Sequence, residues 1–176
     1  MNNPRDVPVS SFLAISIIFV FALYITTLIK TVPCGKNLMS VFYSNFVHVD
    51  VYHLSGNLLA LYALARVEKD IGPKPFAGLV GFLLVFNSIS EVMLHKMFPS
   101  LFCSIGFSGI LFGLAAWELI TTKKIDVILV LSIIFMGVLP SYKNAKVSLY
   151  GHMIGILGGT LAGLYSLKMR ANHQEK

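Results

Sequence analysis

Uncharged apolar runs, each near the length of a bilayer crossing and separated by short polar turns, set the pattern of this chain. Residues 11–29 hold no charge, and Arg5 and Lys30 flank them. The run exceeds the apolar core of a cleaved signal peptide and no small-residue cleavage motif follows, so it predicts a first membrane span. A polar connection over about 30–50 comes next, where Pro33, Cys34 and Gly35 break any helix. Further spans are predicted over about 51–65, 76–94, 107–120, 127–139 and 149–167. Their limits are the charged residues Arg66 to Asp70 with Gly72, Pro73 and Pro75, then Pro99, the charged turn around Lys123, Pro140, and the basic tail from Lys168. The expected fold is an all-α membrane protein, a single six-helix transmembrane domain (11–167) between a short N-terminal segment (1–10) and a tail (168–176).

Composition agrees. Of 176 residues, 56% are apolar and 12% charged, about half the charge of an ordinary soluble domain. So small a soluble protein must cover a large surface with polar groups, and 14 basic and 8 acidic residues do not suffice. A soluble enzyme, a disordered chain and a disulfide scaffold are excluded. The net charge of +6 reads as loop lysine and arginine rather than a nucleic-acid surface. With the N-terminus inside, nine basic residues fall on inner segments and five on outer ones, which favours both termini on the cytoplasmic side.

Polar side chains within apolar spans are costly, and each calls for a reason. Ser108 stands in Gly106-Phe107-Ser108-Gly109 at the start of the fourth span. A serine there can cap the helix or ease helix contact. It can also be a nucleophile, opened by neighbouring glycines and backed by helix N-terminal N–H groups. His152 stands in Gly151-His152-Met153-Ile154-Gly155, as an interhelical hydrogen-bonding partner or as a general base. Gly151, Gly155, Gly159 and Gly163 recur at every fourth position, and Gly109 and Gly113 share the interval. Such faces let helices pack closely in lipid, which two short side chains on different helices need in order to meet. His53 and Asn57, four apart, share a face of the second span. Asn57 can donate to an oxyanion without bringing a charge into the membrane, or can bond a neighbouring helix. His48 falls at the mouth of that span, interfacial or orienting its loop. With alternating spans, His53, Asn57, Ser108 and His152 fall at one depth near the outer face, within reach of water.

The ordered set resembles the rhomboid family of intramembrane serine proteases. The matching pieces are His48-Val49-Asp50-Val51-Tyr52-His53-Leu54-Ser55-Gly56-Asn57, then Gly106-Phe107-Ser108-Gly109, then Gly151-His152-Met153-Ile154-Gly155-Ile156-Leu157-Gly158-Gly159, with Glu68 similar to the family's acidic residue at the inner end of the second span. The resemblance runs over about 44–167. It implies a Ser108–His152 dyad, an oxyanion held by the Ser108 N–H with Asn57 and His53, membrane lipid and transmembrane protein substrates as partners, the latter cut near small or helix-breaking residues, and no metal or cofactor. Well-studied bacterial members have a long first loop bearing a Trp-Arg pair. Here about 20 residues join the first two spans and the sole tryptophan is Trp117, so gating arguments from those members do not transfer.

Rival chemistries find less support. No His-Glu-x-x-His is present for a metalloprotease, and Asp50, Asp70 and Asp126 all fall at span ends. A transporter with Glu91 as carrier residue lacks the paired broken helices of such proteins. The alternative is a pseudoprotease or derlin-like protein that binds membrane clients without cutting them. Retention of both Ser108 and His152 argues against it.

Overall fold

The computed structural model describes residues 6–29, 37–101, 104–122 and 149–174, together with Val127 and Leu131. Among them the chain is all-helical, with six helices: α1 (Pro8–Ile25), α2 (Leu38–Ser44), α3 (Val51–Ile71), α4 (Pro73–Met97), α5 (Ser108–Thr122) and α6 (Leu149–Gln174). The fifth span expected over 127–139 lies outside the described residues but for Val127 and Leu131, both helical.

Two of these helices, α1 and α4, are long and apolar enough to cross a membrane. α1 is apolar on every face yet buries only Ser10, Leu13 and Ile17, while Phe12 and Phe19 are 69% and 61% exposed. A helix apolar all round and open on most of its surface suits lipid rather than water. α5 is apolar but has 15 residues, about 22 Å of helix. α3 and α6 carry more polar groups, of which Arg66, Glu68, His152 and Ser166 bond to other helices.

Glu68 is the clearest case. It is fully buried near the C-terminal end of α3, and its carboxylate accepts the Val9 N–H (2.8 Å), the Ser10 N–H (2.8 Å) and the Ser10 hydroxyl (2.7 Å). The first turn of α1 has no side-chain cap of its own, so Glu68 supplies acceptors to N–H groups that no intrahelical carbonyl reaches. This fits a start of α1 at Pro8, three residues before the expected first span. Glu68→Ala strands three donors and is expected to lower stability by about 3 kcal/mol. The midpoint of SDS-driven unfolding in mixed micelles, followed through Trp117, measures it. An unchanged midpoint would show that the tether carries no weight.

The same end of the bundle is tied by Arg66, whose guanidinium donates to both oxygens of buried Glu118 on α5 (2.7 and 2.8 Å). Trp117 donates its indole N–H to Ser166 of α6 at 3.1 Å. Between these ties and the opposite end lies the apolar core, with Leu61, Leu64, Phe76, Leu83, Ile110 and Leu114 at 2% exposure or less.

Candidate active site

The site is built from the first turns of α5 and α6 and the first two turns of α3. Phe107 precedes α5, and its carbonyl accepts from Ile110 and Leu111, which makes Ser108 the first helical residue. Ser108 is not spent on capping. Its hydroxyl lies 2.9 Å from Nε2 of His152, the fourth residue of α6, and both side chains are 5% exposed. The His152 ring stacks on Phe112, with centroids 4.3 Å apart and planes at 25°. Phe112 lies one turn beyond Ser108 on the same face of α5. The sequence reading missed it, although an aromatic at that spacing was the available signal.

Glycines make the Ser108–His152 contact possible. A Cβ at Gly155 would fall on the Gly109 carbonyl, and one at Gly159 on the Gly113 carbonyl. In the other direction, Cβ atoms at Gly109 and Gly113 would stand 3.0 Å from the carbonyls of Gly151 and Gly155. α5 and α6 therefore touch backbone to backbone over two turns, beginning beside the Ser–His pair.

His53 and Asn57 enter from α3. Asp50 caps that helix by accepting the His53 N–H at 2.8 Å. Asn57 is fully buried and donates from Nδ2 to the His53 carbonyl at 2.8 Å. The structure thus joins Ser108 and His152 directly, while His53 and Asn57 stand on the neighbouring helix. What links them is Gly106. Its φ is +99°, a conformation glycine adopts without strain, and a Cβ there would lie 2.5 Å from Cε1 and 2.6 Å from Nε2 of His53. The His53 ring therefore rests on the backbone two residues before Ser108.

His48 completes the wall. It is fully buried between α2 and α3, with Nδ1 3.2 Å from the Phe46 carbonyl and its ring 4.9 Å from that of His53. Burial first, then the adjacent His53, push it down to about 4, so it is neutral near pH 7. α2, which the sequence reading treated as part of a polar connection, supports the same region. The Asn37 and Ser40 side chains cap it reciprocally, its Ser44 carbonyl accepts the Gly106 N–H at 3.0 Å, and Phe46 just beyond it packs on Phe107 at 5.6 Å.

A family model described as a rhomboid domain matches residues 35–169. The chain belongs to the rhomboid family. Its members are integral membrane proteins, and the match covers every site residue named above. A relative from Acanthamoeba polyphaga mimivirus, described as "Putative rhomboid protein L523", is 28% identical over 115 residues, 65% of this chain and 67% of that protein. No solved structure matches the chain. Within the rhomboid domain, the α5–α6 seam carries the Ser–His pair and the Gly106 turn brings the α3 histidine against the approach to it.

Proposed function

We propose that this rhomboid is an intramembrane serine endopeptidase, hydrolysing peptide bonds in or near transmembrane segments of other membrane proteins. The observation that carries the reading is the 2.9 Å contact between Ser108 Oγ and His152 Nε2, two groups of complementary chemistry on helices that pack through glycine. Nε2 takes the hydroxyl proton as Oγ attacks the scissile carbonyl carbon. The oxygen of the tetrahedral intermediate then carries the negative charge. The Ser108 N–H, in the first turn of α5, is a donor suited to it, since helix N-termini favour anions. The second Nδ2 hydrogen of Asn57 and the His53 ring are the further donors. The imidazolium next gives its proton to the departing amine, and water, activated by the same nitrogen, releases the acyl group from Ser108.

The same proposal has six spans, with both termini on the cytoplasmic side and the Ser–His pair toward the outer face. A fluorophosphonate tests the chemistry without a known substrate, because Oγ displaces fluoride and a stable Ser108–phosphorus bond forms. Detergent-solubilised wild type is expected to label at the peptide containing Ser108, and Ser108→Ala not at all. Labelling that survives the substitution, or is absent from both proteins, would count against hydrolysis and in favour of a client-binding protein without activity.

A further inference from the structure

Glu91 lies on α4, outside the Ser–His pair, and is 6% exposed. A carboxylate buried in an apolar helix is costly unless its oxygens are engaged. Oε1 accepts the Ser104 N–H at 2.7 Å, and His95, one turn further along α4, places Nε2 3.9 Å from the same oxygen. Ser104 belongs to the connection between α4 and α5, four residues before Ser108.

Backbone and side-chain hydrogen bonds hold the described residues of that connection. α4 ends at Met97, and the turn after it is closed by Leu101 donating to the Phe98 carbonyl at 3.1 Å. Beyond it, the Ser104 N–H goes to Glu91 and the Gly106 N–H to the Ser44 carbonyl. Gly106 then turns against His53, and fully buried Phe107 leads into Ser108. The Ser44 bond is made by backbone alone. The Glu91 bond depends on a side chain, so the sequence can set it.

Building on the dyad reading, we propose that Glu91 is a positioning residue for the nucleophile: by holding the Ser104 N–H it fixes the α4–α5 connection, and through it the placement of Gly106 and Ser108 against His53 and His152. Glu91 touches no reacting atom. Its effect falls on the rate of the chemical step, because a nucleophile displaced by about 1 Å loses on the order of 100-fold. Ligand binding ahead of that step is spared.

Fluorophosphonate inactivation of the full chain in micelles gives kinact and KI separately. Glu91→Leu is expected to lower kinact about 10- to 100-fold, with KI within about 2-fold. Glu91→Asp keeps the charge but loses the reach, and falls in the same direction. Glu91→Gln keeps an acceptor oxygen at full reach and recovers most of the loss. Hydrogen exchange of the peptide covering 104–108 reads the tether without any activity: faster in the Leu and Asp variants, near wild type in Gln. The Asp variant keeps the proposal falsifiable if the Leu variant does not fold. Wild-type kinact with unchanged exchange in either variant overturns the proposal, as does a Gln variant as slow as Leu. If wild-type Ser108 does not label, the dyad reading fails, and the exchange comparison still decides whether Glu91 holds the connection.

Discussion

Alanine at His152 is expected to lower the rate of fluorophosphonate labelling at Ser108 by about 1,000-fold, with helical content unchanged. A positioned general base contributes on the order of 100- to 10,000-fold, and Ser108 has its hydroxyl 2.9 Å from the His152 ring nitrogen. Without it the hydroxyl must lose its proton to water in a site where both partners are nearly buried. The fold should tolerate the loss, since the seam between α5 and α6 is made by glycine backbone and the ring adds one stacking contact with Phe112. The test is kinact for wild type and His152→Ala, with Trp117 fluorescence to report packing. Two further outcomes are informative. If the groups act as a unit, Ser108→Ala/His152→Ala is no worse in proteolysis than Ser108→Ala alone. Labelling of His152→Ala at the wild-type rate would leave Ser108 reactive for another reason and sink the dyad.

Much of this arrangement is legible in the residues, and the reasons are physical. α1 and α4 announce themselves because lipid-facing helices need uninterrupted apolar sequence. Ser108 and His152 stand out because polar groups are scarce there, and the four-residue glycine interval names the helix faces that meet. The gaps share one cause: long-range contacts with no local signature. The second span, expected to stop at residue 65, continues as α3 to Ile71 through Arg66, Glu68, Lys69 and Asp70. A charged run reads as a helix end when seen alone. Here Arg66 is neutralised by Glu118 on α5, and Glu68 caps α1. Both partners are more than 50 residues away. α2 has seven residues, too few for a periodic pattern. In the sequence Glu91 suggests only a transporter's carrier residue, and its bond to the Ser104 N–H has no local signature. Phe112 gains its place only from the His152 ring that lies on it.

Leucine at Gly155 should abolish labelling of Ser108 altogether, through geometry alone. The first carbon of any side chain at Gly155 falls on the carbonyl of Gly109, the residue next to the nucleophile. A side-chain neighbour could rotate away, but a backbone carbonyl in a helix cannot, so α5 and α6 must part. Ordinary helix pairs sit about 8–10 Å apart, and a hydrogen bond fails beyond about 3.5 Å. A separation of 1 Å at Gly155 therefore breaks the 2.9 Å contact of His152, one turn earlier on the same helix. Gly155→Ala already meets the clash and should lose most activity, and leucine should lose the rest. Gly81 on α4 is the control, since a Cβ there meets nothing within 4 Å, and Gly81→Ala should label like wild type. The readouts are labelling of all three variants and Trp117 fluorescence, because the indole bond to Ser166 reports the same seam toward its other end. Full labelling of Gly155→Leu would mean that the serine and histidine do not depend on close approach of α5 and α6. An inactive variant with an undisturbed Trp117 signal localises the damage to the turn that joins the two catalytic candidates.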